Sequence, residues 1–250
     1  MLLVSPVDEL EALEAVAGGA DIIDVKNPAE GSLGANFPWV IRRIRAVVPR
    51  GIEVSATVGD VPDKPGTVAL AALGAAVSGA NYVKIGLYGV RSFDSAVHLS
   101  KQAVRSVKEF SSEVKVVLAG YADAERVGAV DPFLVPSIVE AAGADVAMVD
   151  TAVKDGLSLL DLWGLDGVER FVSLAKERGL TVALAGSLRK EELPLIVRVG
   201  ADIVGVRGAA CEGADRLRGR ITRTRVEELV RAIREAEKGR ACGVDVKAGI

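Results

Sequence analysis

Asp24 and Lys26 stand two residues apart in Asp21-Ile22-Ile23-Asp24-Val25-Lys26, and the period of two of a β-strand aims both side chains at one face. An acid and an amine therefore share a small volume at the end of an apolar segment. Lys84 stands in a second such run, Tyr82-Val83-Lys84-Ile85-Gly86, and Asp150 closes a third, with Lys154 just beyond it in Asp150-Thr151-Ala152-Val153-Lys154-Asp155-Gly156. Lysine and aspartate are almost never fully buried without a partner, so apolar packing does not account for them. An amine becomes nucleophilic only after losing its proton, and burial or neighbouring cations bring its pKa toward working pH. Lys26 and Lys84 are such neighbours for each other, and Lys154 adds a third positive charge. Asp24 and Asp150 can then return or take up protons as a carbonyl becomes carbinolamine, imine and enamine. The set suits Schiff-base aldol chemistry, and a structural ion-pair layer is the plainer use of the same residues. Magnesium suits it less, because clustered amines repel a metal, although Asp24 and Asp150 alone suggest one.

Composition narrows the partners. The chain has 250 residues, 50% of them hydrophobic, and a formal net charge of −3. That charge is spread through the sequence, which argues against nucleic acid or a membrane surface and for a small-molecule substrate. Cys211 and Cys242 are too far apart for a zinc spacing or a disulfide framework, which fits a reducing compartment. No apolar stretch reaches a membrane span and the N-terminus carries no signal pattern, so a soluble, cytoplasmic protein is expected. The single histidine, His98, lies in a helical pattern among Ala96, Leu99 and Ala103; neither a zinc centre nor a Ser-His-Asp triad is expected on it. No metal or cofactor is expected.

What must position the lysines is an alternation of short β-branched runs with helical patterns. The runs at 2–4, 22–26, 53–57, 82–86, 114–120, 146–150, 181–185 and 203–206 read as strands, with helical periodicity after each. Ser5 with Asp8, Asn36, Asp166 with Glu169, Ser187, and Thr224 with Glu227 read as helix starts. Gly19-Ala20-Asp21, Gly79-Ala80-Asn81, Gly143-Ala144-Asp145 and Gly200-Ala201-Asp202 each precede an even-numbered strand. They read as an internal repeat, or as a favoured helix-to-strand turn with Gly as the left-handed cap. The alternation predicts an α/β protein with a single (β/α)8 TIM barrel over residues 1–237, followed by a tail at 238–250 without periodicity. Counting from each repeated Gly, the inward positions are Asp24, Lys84, Met148 and Gly205, then Lys26, Gly86, Asp150 and Arg207.

Phosphate-binding candidates are Gly186 and Ser187 at the end of strand seven and Arg207 and Gly208 at the end of strand eight, where barrel phosphate sites lie. An ordinary turn would also account for these glycines. The loop from Asn27 to Asn36, with Ser32 between two glycines, is a candidate cradle for a second anionic group.

The motifs Asp24-Val25-Lys26-Asn27-Pro28 through Gly31-Ser32-Leu33-Gly34-Ala35-Asn36, Tyr82-Val83-Lys84-Ile85-Gly86-Leu87 and Asp150 through Gly156 resemble the (5-formylfuran-3-yl)methyl phosphate synthases of methanofuran biosynthesis. The resemblance covers essentially the whole chain. It implies condensation of two glyceraldehyde 3-phosphate molecules to a phosphorylated furan aldehyde, with loss of phosphate and water. It also implies that Lys26 forms the Schiff base and Lys84 accepts the proton, with Asp24, Asp150 and Lys154 acting beside them. On this reading the Lys26 enamine of a ketose attacks a second aldehyde. The expected partners are the triose phosphate and further copies of the chain. The rival readings are another Schiff-base aldolase acting on triose phosphates and a non-catalytic barrel that binds a phosphorylated metabolite.

Overall fold

The computed structural model describes residues 1–241. Its strands are β1 (Leu2–Val4), β2 (Ile22–Val25), β3 (Glu53–Thr57), β4 (Tyr82–Gly86), β5 (Lys115–Tyr121), β6 (Val146–Asp150), β7 (Thr181–Leu184) and β8 (Ile203–Val206). They pair in parallel and in chain order, and β8 returns to β1 through Leu2↔Val204, Leu3↔Gly205 and Val4↔Val206. The helices α1 (Glu9–Ala17), α2 (Pro38–Val47), α3 (Pro65–Val77), α4 (Phe93–Phe110), α5 (Val135–Ala142), α6 (Leu159–Lys176), α7 (Leu193–Arg198) and α8 (Arg223–Ala241) alternate with the strands. This is a (β/α)8 barrel, and closure removes the free sheet edges.

Strand alternation separates two apolar layers. Ile23, Val25, Val83, Ile85, Ala147 and Val149 belong to the larger core under the helices, whereas Ile22, Tyr82, Val146, Met148 and Ile203 fill the barrel. The positions counted inward from the repeated Gly do point inward. Lys26, Lys84, Met148, Asp150, Gly205 and Arg207 line the cavity at the C-terminal mouth. Asp24 bonds to Lys84, and Gly86 faces the Tyr121 hydroxyl.

The repeated turn clamps each even strand to the odd strand before it. Gly19, Gly79, Gly143 and Gly200 take φ of 89°, 101°, 70° and 101°, which a side chain rarely adopts. The next residue but one then bonds twice to a single partner. The N–H groups of Asp21, Asn81, Asp145 and Asp202 donate to the carbonyls of Leu2, Val54, Val116 and Val182. Their side-chain oxygens accept from the N–H of those same residues at 2.6, 2.8, 2.7 and 2.7 Å. Asp and Asn are interchangeable there because only an acceptor oxygen is needed.

Several helix starts differ from expectation because side chains are drawn elsewhere. Ser5 turns inward to Asp24, so α1 is capped by Asp8, whose carboxylate accepts from Glu11 N at 2.9 Å. Asn36 joins Val7 O and Phe37 N, and α2 starts at Pro38. Helix α6 starts early, at a Ser158–Asp161 capping box, and Gly164 at φ 63° breaks it before Asp166. Ser187 is exposed at φ 50° and caps nothing; α7 begins at Leu193 after a single turn at Lys190–Glu192. His98 is exposed on α4. Helix α8 carries the chain through the start of the expected tail to Ala241; the remainder of that tail, with Cys242, lies outside the described residues. No helix among them is long and apolar enough to cross a membrane.

Candidate active site

A cavity of about 700 Å³ opens at the C-terminal mouth, with Lys26, Lys84, Asp150 and Lys154 in its wall. Asp24 lies beneath it, fully buried. Lys84 Nζ donates to Asp24 Oδ2 at 2.7 Å, and Ser5 Oγ donates to the same oxygen at 2.8 Å. Oδ1 of Asp24 has no partner among the described residues. Burial works against the Asp24 charge, but the Lys84 and Lys26 ammonium groups and these hydrogen bonds outweigh it and hold the carboxyl below its usual range.

A second carboxylate is held the same way. Asp150 Oδ1 accepts from Lys154 Nζ at 2.7 Å and from Thr151 N at 2.7 Å, and Lys154 also donates to Thr151 Oγ1 at 2.8 Å. Burial again opposes the charge, and Lys154 and Lys26 more than offset it, so Asp150 stays ionised well below the ordinary range. The turn carrying Lys154 is tied down from β5's end, where Asp123 accepts from Ala152 N at 2.6 Å and Val153 N at 2.8 Å.

Lys26 is different. It is 6% exposed, its nearest carboxylate oxygen is Asp150 Oδ2 at 3.7 Å, and its amine makes no hydrogen bond among the described residues. Burial, reinforced by Lys84 and Lys154 and opposed by Asp150 and Asp24, brings its pKa down to about 8. An amine in that range is partly neutral near pH 7 to 8 and open to a carbonyl carbon.

The phosphate candidates divide. Gly186 and Ser187 follow β7 with φ of 112° and 50°, Gly208 follows β8, and all three line the cavity. A Cβ on Gly186 would lie 2.9 Å from Thr151 Cγ2. Among the described residues, no acceptor takes the N–H of Ser187, Leu188 or Gly208, so this pair of loops offers donors to an anion. Arg207 lines the cavity too, but its guanidinium is largely engaged: Nη1 donates to Ser5 O at 2.7 Å and Glu11 Oε2 at 2.8 Å, and Nε to Arg216 O at 2.7 Å. Asn27 and Ser32 are not brought into the cavity wall. Asn27 Oδ1 accepts from Ala29 N at 3.2 Å, and buried Ser32 Oγ donates to Thr151 O at 2.6 Å. These side chains hold the loop. Gly34 fits it because a Cβ would come 2.1 Å from Asn27 O.

Tyr121, Asp60 and Arg216 at this mouth carry no signal in the sequence. Tyr121, fully buried on β5, donates to Asp60 Oδ1, and burial and that carboxylate push its phenol well above the usual value. Gly86 gives it room, since a Cβ there would lie 2.1 Å from the hydroxyl. Arg216, from the β8–α8 connection, reaches across the mouth to donate to Gly31 O at 3.0 Å. The Gly86–Tyr121 fit depends on two strands meeting, and the residues near Arg216 carry no periodicity. Among the described residues, no group of three His, Cys, Asp or Glu is placed to hold a metal ion.

The family model described as 4-HFC-P synthase matches residues 2–230. A protein of Methanocaldococcus jannaschii named (5-formylfuran-3-yl)methyl phosphate synthase is 61% identical, over 92% of this chain and 97% of its own length. One of the same name from Methanopyrus kandleri is 60% identical, over 93% and 98%. Among solved structures, 3-hexulose-6-phosphate synthase from Salmonella typhimurium superposes with a TM-score of 0.64 at 19% identity, covering 94% of this chain and 99% of that one. Orotidine 5'-phosphate decarboxylase from Pyrococcus horikoshii superposes at 0.60 and 19%, with the same coverage. At that identity these two share the fold alone.

Proposed function

This chain belongs to the 4-HFC-P synthase family, and from that premise we propose that it condenses two triose phosphates through a Schiff base on Lys26. The product is (5-formylfuran-3-yl)methyl phosphate, a step of methanofuran biosynthesis. The observation that carries the reading is the Lys26 amine, which is buried, unbonded and brought to about 8 between two ionised carboxylates.

The carbon skeleton in the relatives' name constrains the order of steps. Its formyl and phosphomethyl groups sit on a furan so that C3 of one triose joins C2 of the other. An enamine attacking a second aldehyde would give an unbranched chain, so that order is replaced. One glyceraldehyde 3-phosphate forms an iminium with Lys26 at C1, releasing water. Asp24 draws a proton from Lys84 along their hydrogen bond, the freed Lys84 amine takes the C2 proton, and the enamine expels phosphate from C3, a carbon–oxygen lyase step. The enol left behind is nucleophilic at its terminal carbon. The second triose phosphate, isomerised to the ketose by proton transfer, accepts that carbon at its C2 carbonyl. The free hydroxyl on its former aldehyde carbon, C1, closes on the C2 carbonyl of the first unit, two waters leave as the ring becomes aromatic, and water frees Lys26. Asp150 and Lys154 serve the leaving hydroxyls as proton donors and acceptors. The balance is one phosphate and two waters lost per pair, with no net oxidation. Gly186, Ser187 and Gly208, with Arg207 beside them, receive one phosphate.

Borohydride reduction in the presence of glyceraldehyde 3-phosphate, followed by peptide mass spectrometry, tests the assignment, with the product identified by mass in parallel. The adduct is expected on Lys26 and absent from Lys26→Arg, which stays protonated. An adduct spread over surface lysines would overturn it.

A further inference from the structure

We infer that Arg216 is the recognition residue for a second phosphate group, at the rim between the β8–α8 connection and the 27–36 loop. The inference rests on the reading above, in which two phosphorylated substrates occupy one cavity. Each phosphate monoester carries a charge of about −1.5 to −2 near neutral pH. The β7 and β8 loops offer donors for one such group. The three lysines are committed to the chemistry, and the Asn27, Ser32 and Asn36 side chains are spent on holding the 27–36 loop, to Ala29 N, Thr151 O and Val7 O.

Arg216 is distinguished by what it lacks. Every other cationic side chain in the cavity wall has a carboxylate partner, including Arg207 with Glu11, Arg189 with Asp161 and Lys190 with Glu228. Among the described residues, Arg216 makes no ion pair, and its guanidinium gives a single hydrogen bond, to Gly31 O at 3.0 Å. Its planar fork therefore keeps donors in reserve, in the geometry that takes a phosphate bidentately. The position is also fixed in advance. Arg207 Nε holds the Arg216 carbonyl at 2.7 Å, and Arg216 Cβ lies over Gly208, 3.9 Å from where a Cβ would stand. Burial bears against this charge, and Arg207 adds to that, while Asp150 and Asp60 support it. A half-buried guanidinium with no carboxylate partner among the described residues, set over the cavity of an anionic substrate, matches a phosphate in charge and geometry.

The test uses glycerol 3-phosphate, which carries the phosphate without a carbonyl, in titration calorimetry. The wild-type chain is expected to bind two equivalents and Arg216→Gln one, with the remaining site unchanged within about twofold. Arg216→Lys should retain the second site with an affinity lower by about tenfold, since it keeps the charge but not the fork. In turnover, Arg216→Gln should raise the half-saturating triose phosphate concentration about 30-fold or more. One equivalent bound by the wild type, or two by Arg216→Gln, overturns the inference. So does a weakened single site, which would place Arg216 in the β7–β8 cradle. The count does not depend on turnover, so failure to form the furan would overturn the function and leave this site to be judged by the calorimetry.

Discussion

Three lysines meet at the barrel mouth, and of these only Lys26 makes no hydrogen bond among the described residues. Its pKa of about 8 lies below the 10.5 of an ordinary lysine, chiefly through burial. The fraction of neutral amine, and with it the rate of imine trapping, should therefore rise with pH through a midpoint near 8. Competitive acetylation, read residue by residue by mass spectrometry, measures this, and a midpoint near that of the surface lysines would refute it. The same displacement has a sign for stability. The native state binds fewer protons than the unfolded chain between about 8 and 10.5, so the Lys26 contribution is least favourable below 8 and recovers as pH rises toward 10.5. At pH 7, Lys26→Met should raise stability in urea denaturation by about 1–3 kcal/mol while abolishing trapping. A structural ion-pair layer predicts the opposite, a loss of stability, because Asp150 would lose a partner it needs.

At the scale of elements, the strands are legible in the sequence and the helix starts are not. Strand positions follow from a period of two counted from a turn, and both are local, so Asp24, Lys26, Lys84 and Asp150 can be placed inward before any contact is known. A cap depends on where a small polar side chain finds its best partner. For Ser5 that partner is Asp24, and for Asn36 it is Val7 O. The Gly-Ala-Asp turn belongs half to each category: its left-handed glycine is visible in sequence, while the bond from its side chain to the previous strand is not. Asp21 isolates that bond, since its carboxylate accepts from Leu2 N at 2.6 Å and makes no other hydrogen bond or ion pair among the described residues. Asp21→Ala should cost about 1–2 kcal/mol in urea denaturation. Asp21→Asn should recover most of it, as Asn81 does the same work with an amide. Turnover should be unchanged in both variants, because the turn lies at the end of the barrel away from the cavity. An Asn variant as weak as the Ala variant would show that charge rather than the acceptor matters.

For the molecule as a whole, the decisive joint is the one between the first and last strands, which no local pattern describes. Arg207 is legible as an inward cation at the end of β8, but its partner Glu11 comes from the other end of the chain. Buried Glu11 accepts from Arg207 Nη1 at 2.8 Å and from Val7 N at 3.0 Å, while Arg207 also donates to Ser5 O, so one guanidinium ties β8 to α1 and the end of β1. Removing one member of a buried pair strands the other charge. Arg207→Met should therefore cost about 3–5 kcal/mol, toward the lower figure because Arg220 Nε lies 3.5 Å from Glu11 Oε1. The double variant Arg207→Met with Glu11→Leu removes both charges and should be more stable than the sum of the single losses by more than about 1 kcal/mol. A urea double-mutant cycle measures that coupling. Strong coupling with a small change in KM makes Arg207 the lock of the barrel seam, with phosphate left to the backbone donors of the β7 and β8 loops. Additive losses with a sharply raised KM would instead mean that its main partner is the substrate.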